Sequence, residues 1–192
     1  DRRGAPALPQ AGGLFFLWAP LHFDDFCAHY QLFEDTKGRT LLSVGALLPV
    51  YNSIDALPGV EDPTVTHCRN LEHKLSFASD SRMIESVELA MTEIESGKRV
   101  SIDFEKLFTF RMKGIGYSHS EWGHGMWKDE VAVGSEQWDL ADIDDTAFEN
   151  QHVQHLMRVR IDGNEGIGVL EQNILGPYEP YGLEGAIKPP QK

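Results

Sequence analysis

From residue 14 onward the chain is punctuated at short intervals by turn-forming clusters: EDTKGR (34–39), ASDSR (78–82), ESGKR (95–99), VGSEQ (133–137) and IDGNEG (161–166). Each lies between runs rich in Phe, Val, Ile, Leu and Tyr, such as residues 28–33 and 40–47 around the first and 154–161 and 166–174 around the last. Gly, Asp and Asn in the clusters supply tight turns, and the β-branched and aromatic runs suit a pleated, half-buried surface. The pattern predicts a meander of antiparallel hairpins. A chain of many short strands must dispose of its sheet edges, so the expected fold class is all-β: an antiparallel barrel or sandwich with few or no helices.

The stretch MIESVELAMTEI (83–94) fits a helical and an alternating period alike, and the turns on both flanks decide for a strand. In residues 100–110, Val100, Ile102, Phe104, Lys106, Phe108 and Phe110 share one face, and Ser101, Asp103, Glu105, Leu107 and Thr109 the other. The first set is expected to face inward, filling a core or lining a cavity. Residues 1–13 (DRRGAPALPQAGG) have no periodicity and read as an irregular lead segment, and residues 14–192 as one β domain. The segment PVYNSIDALPGVEDP (49–63), with three prolines, is expected to be the longest excursion and to cover a barrel mouth.

Thirty acidic against 17 basic residues leave a net charge of −13, with no Lys/Arg block to track phosphates, which argues against nucleic acid as a partner. No run approaches the roughly 18 apolar residues of a membrane-spanning helix. Cys27 and Cys68 are far apart and outside any CxxC arrangement, which suits two buried thiols and a cytoplasmic home. The chain opens on Asp1 and reads as a trimmed or partial one.

Chemistry-bearing residues concentrate in GYSHSEWGHGMWKDE (116–130). On a strand end, Tyr117, His119 and Glu121 would share one face, and glycines at 123 and 125 would let His124 and Trp127 bend back toward it. Three readings stay open. His119, Glu121 and His124 form a donor set that zinc or ferrous iron accepts, although H-x-E-x-x-H is not the helical H-E-x-x-H. The same groups in an apolar cavity would do acid–base chemistry, with Tyr117 or Tyr178 orienting and Trp122 and Trp127 stabilising a cationic intermediate through their ring faces. In the third reading, the segment plugs a barrel end with its polar atoms hydrogen-bonded to backbone. His152 and His155 fall on opposite strand faces, so at most one points inward, and a structural role is expected for His155. Tyr178 and Tyr181 are expected to tuck the C-terminal strand, and DLADIDD (139–145) to be a solvated loop. Nucleotide loops and the G-x-S-x-G elbow are missing.

Four stretches, residues 18–39, GYSHSEWGHGMW (116–127), EQWDLAD (136–142) and GVLEQNILGPYEPYG (168–182), resemble the bacterial lipocalin-like proteins around the carotenoid hydratase and AttH type. In that family two lipocalin-like barrels stand in tandem, and this chain is similar to the C-terminal one. The resemblance implies a partner in a second barrel or a second copy. It also implies an apolar ligand that is isoprenoid, steroid-like or fatty, and cofactor-free hydration, dehydration or isomerisation at a carbon–carbon double bond. His119 or Glu121 would move the proton, Tyr117 and His124 would orient it, and Trp122, Trp127, Phe108, Phe110 and Tyr178 would line the ligand. A carrier with the same pocket and no chemistry is the alternative, and a His/Glu metal enzyme a further one.

Overall fold

The computed structural model describes residues 13–59, 62–112, 122, 127–147 and 150–185. Eight strands follow one another: β1 (Leu14–His22), β2 (Phe26–Glu34), β3 (Thr40–Pro49), β4 (Thr66–Phe77), β5 (Ile84–Glu93), β6 (Arg99–Arg111), β7 (His152–Ile161) and β8 (Asn164–Leu175). Each pairs antiparallel with the next and β8 returns to β1, closing a barrel and deciding against a sandwich. The described helical elements are 3-10 turns, at Ile54–Ala56, Leu140–Asp142 and Glu179–Tyr181.

Alternation builds the inner wall. In β1, Phe15, Leu17, Ala19 and Leu21 are buried, while Phe16, Trp18 and Pro20 take the other face. Pro20 offers no N–H to a ladder, and the pairing with β8 runs from Trp18↔Glu171 straight to Leu21↔Gly168. There the backbones come close: a Cβ at Gly168 would stand 2.5 Å from the Pro20 carbonyl oxygen, so glycine is required. Inward residues of all strands form one contiguous core with Phe15, Tyr30, Leu32, Met91, Ile102, Met157 and Leu170 at its centre. Burial on this scale, at about 25 cal/mol per Å² of apolar surface, is what holds the barrel together.

Two seams are thin. The β3–β4 ladder consists of Gly45↔Cys68, Ala46↔His67 and Leu47↔Thr66, and beyond it side chains satisfy the backbone of β4. Tyr30 donates its hydroxyl to Glu72 O (3.1 Å), and Tyr181 Oη accepts the Leu75 N–H (3.1 Å). Between β5 and β6 the ladder spans Glu88↔Asp103 to Thr92↔Arg99. Past its end Lys106 Nζ donates to Ile84 O (2.9 Å), and Gln172 Oε1 accepts the Ile84 N–H (2.9 Å).

The single inward face expected for residues 100–110 is corrected by a bulge. Opposite β7 the register steps from Lys106↔Met157 to Phe108↔Leu156, so Leu107 is an extra residue and the parity reverses. Val100 and Ile102 are buried as expected. Thr109 turns inward to His155, and Phe108 (55 % exposed) and Phe110 (58 %) point outward. The segment after β3 is likewise not the longest excursion: residues 112–151 between β6 and β7 are longer. VGSEQ falls inside that connection, the described residues on either side of it (127–132 and 138–147) form no strand, and Val131 (82 % exposed) and Val133 (89 %) face solvent. The turns around residues 83–94 do enclose a strand, and Tyr178 is buried in the core.

Candidate functional site

At the barrel end that carries the 94–98 turn, the segment after β3 folds back over the ends of β3 and β4 and leaves a cleft of about 860 Å³. Leu48, Pro49, Leu57, Pro58 and Val65 make its wall mostly apolar, and Tyr51, Asp62 and His67 supply the polar points. Local chemistry shapes the fold-back. Prolines at 49, 58 and 63 restrict φ, and the Asp62 carboxylate accepts from Thr64 Oγ1 (2.6 Å), Thr64 N (2.9 Å) and the Tyr51 hydroxyl. The Thr64 hydroxyl, then Tyr51 and the Thr64 N–H, hold the Asp62 carboxyl below its usual range, and Asp62 in turn raises the Tyr51 phenol. The knot leaves a preformed hollow within the size range of small-molecule sites.

Of the residues singled out from sequence, those that the structure describes, Trp122, Trp127, Phe108, Phe110 and Tyr178, do not line this cleft. Tyr117, His119, Glu121 and His124 lie outside the described residues. Trp122 is half-buried, with Lys128 Nζ 5.1 Å from its ring centroid and its ring against Gly134. Trp127 is 52 % exposed. Phe108 and Phe110 stand on the outer wall, and Tyr178 is a core residue. The 112–151 excursion leaves β6 after Arg111, at the barrel end opposite the cleft. Among the described residues, no three His, Cys, Asp or Glu side chains stand close enough together to hold a metal ion.

Three buried polar clusters were missed or only half seen. Near the β3–β4 seam, Glu34 Oε2 accepts from the Tyr178 hydroxyl and from His73 Nε2 (3.3 Å), and His73 Nδ1 meets Tyr181 Oη at 2.8 Å. Burial pushes the Glu34 carboxyl up, but the bonds from His73 and Tyr178 outweigh it and hold the group below its ordinary value. Burial, with Glu34 beside it, raises the Tyr178 phenol. These partners lie 39 to 144 residues apart, and no spacing rule could have joined them. Inside the barrel His155 bonds Thr109 and Gln172. On the outer face His152 Nε2 meets Glu171 Oε1 at 2.8 Å, and Gln154 donates to Glu171 Oε2 (3.0 Å). Burial raises the Glu171 carboxyl, and the His152 and Gln154 bonds override that and lower it. The strand-parity reading did put His152 and His155 on opposite faces.

Fold and cleft together define a closed, eight-stranded antiparallel barrel of lipocalin-like kind with an apolar hollow at one end. The chain belongs to the family of unknown function DUF8625, whose model matches residues 1–184. No curated protein and no solved structure matches it. No helix among the described residues is long and apolar enough to cross a membrane.

Proposed function

We propose that the protein binds an apolar small molecule of isoprenoid, steroid-like or fatty kind in the cleft between the 50–65 segment and the ends of β3 and β4. The observation that carries this reading is the cleft itself: about 860 Å³, mostly apolar, with His67 at its wall. The interior of the barrel is taken up by its own contiguous core, which favours the end of the barrel over its axis as the binding place. Binding of this kind needs no cofactor. Both cysteines are free, which supports a reducing, cytoplasmic setting.

Native mass spectrometry of the protein as isolated tests the reading, since a co-purifying apolar molecule would appear as a discrete mass adduct. Leu57→Asp places a charge in the cleft wall at a solvent-exposed position and is expected to weaken binding of a fatty-acid or retinoid probe by about tenfold or more while leaving the fold intact. Equal affinity in the wild type and this variant would dismiss the cleft as the site.

The carrier form of this reading rests on the cleft alone. The catalytic form assigns proton transfer at a double bond to His119 or Glu121, with Tyr117 and His124 orienting and Trp122 and Trp127 lining the path. If that form holds, Glu121→Gln and His119→Asn abolish turnover of a polyene or enol probe and leave its affinity unchanged.

A further inference from the structure

The bulge in β6 has a consequence on the outer wall. Were Leu107 an ordinary ladder residue, Phe108 and Phe110 would continue the inward row of Val100, Ile102 and Phe104; because it is bulged, both rings are turned out of the barrel. Phe108 stands beside Leu156 of β7, which pairs in turn with Val169 of β8, and Ile167 lies one row further along β8. Phe108, Leu156 and Val169 form one apolar row across the three strands, flanked by Phe110, which stands opposite Gln154, and by Ile167, which stands opposite Arg158; Phe108, Phe110, Leu156 and Ile167 are all exposed. Soluble chains leave such a face open only where something covers it.

The charges around it say what that is. In the row of Ile167, Arg158 on β7 pairs with Glu105 on β6 (2.7 Å), and in the next charged row Arg160 on β7 pairs with Glu165 on β8 (2.9 Å). Arginines therefore run along the middle strand, with acids on the strands to either side. The chain as a whole carries a net charge of −13, so two copies repel in most orientations, and a wall that interleaves both signs is where that repulsion is weakest. We propose that this wall of β6, β7 and β8 is the interface of a homodimer. A second copy laid across it about a two-fold axis, offset by one strand, sets the arginines of each copy against the acids of the other and brings Phe108 and Phe110 of both to the centre. An aromatic centre with a charged, solvent-facing rim is the anatomy of a specific protein interface, and an isologous contact uses the same patch twice.

Sedimentation equilibrium of the full chain tests this. The expected result is a monomer–dimer equilibrium for the wild type. Phe108→Ser with Phe110→Ser is expected to raise the dissociation constant by about thirtyfold or more, with an unchanged β-sheet circular dichroism spectrum because both side chains point away from the core. Should that variant fold poorly, the charge pair supplies a second arm. Arg158→Glu alone is expected to weaken the dimer, and Arg158→Glu with Glu105→Arg to restore it. A wild type that stays monomeric at the highest soluble concentration overturns the proposal, as does a dimer indifferent to both the Phe108/Phe110 and the Arg158 substitutions.

Discussion

His155 is buried in the barrel with both ring nitrogens committed. Gln172 Nε2 donates to Arg82 O (2.8 Å), and its Oε1 accepts from Ile84 N (2.9 Å) and from His155 Nε2 (3.0 Å), which leaves His155 Nδ1 to accept the Thr109 hydroxyl (2.9 Å). Burial favours the neutral imidazole in this arrangement. Burial accordingly pushes its pKa down to about 4; the Gln172 bond opposes the shift, and the charges of Lys106 and Arg111 add to it. Because the folded value lies below the unfolded one of about 6.5, the unfolded chain takes up the proton first. The stabilisation is complete above pH 6.5 and is lost as the pH falls toward 4. It amounts to about 3 kcal/mol over that window. Urea titrations of wild type and His155→Gln across pH 4–7 check this: the variant is expected to be less stable at pH 7 and to lose most of the slope between 6.5 and 4. Glu34 and Glu171, both with lowered values, act in a different window, since their stabilisation persists until the pH falls below the ordinary glutamate range. Strand parity sufficed to put His152 and His155 on opposite faces, and the structure decides that His155 is the inward one. Its partner Gln172 sits 17 residues on, across a hairpin whose register no local pattern specified.

At the level of elements, β4 depends on side chains for backbone pairing that β3 does not provide. Tyr181 Oη accepts the Leu75 N–H and donates to His73 O (3.2 Å) from a 3-10 turn 106 residues away in sequence. Tyr181→Phe leaves that N–H without its partner, so the expected cost is about 1–3 kcal/mol, with faster hydrogen exchange at the Leu75 amide and little change on β1 or β8. In β8 the close approach to β1 makes glycine indispensable. Gly168→Ala drives a Cβ into the Pro20 carbonyl, where backbone on both sides has no room to yield, and a loss of about 2 kcal/mol or more in thermal or chemical melts is expected. The hairpins themselves were legible, because turn residues and alternating runs act over a few residues. The reversal within β6 was not. One inserted residue leaves composition and propensity almost unchanged, and whether Leu107 is accommodated as a bulge depends on what β7 presents opposite it.

For the whole molecule, closure rests unequally on eight seams. The ladders of β1 with β8 and of β7 with β8 run nearly the length of their strands, whereas β3 and β4 share only the pairs at residues 45–47 and 66–68. The barrel is therefore expected to open first at this seam: amides at 45–47 and 66–68 should exchange well before those joining β1 to β8, and uniform protection around the barrel would contradict it. The proposed binding cleft borders this same seam, since His67 and Leu48 flank its paired residues. The sequence by itself determined an all-β chain of antiparallel hairpins, the strand at residues 84–93 and the opposite faces of His152 and His155. All of these follow from propensities and periodicities that operate between near neighbours. Only the tertiary structure decided that the sheet closes into a barrel, that Phe108 and Phe110 face out, that Glu34, His73, Tyr178 and Tyr181 meet, and that a hollow lies beneath residues 50–65. Register, bulges and contacts across a hundred residues are settled by which packing buries the most surface without orphaning a polar group, and that comparison exists only once the strands are side by side.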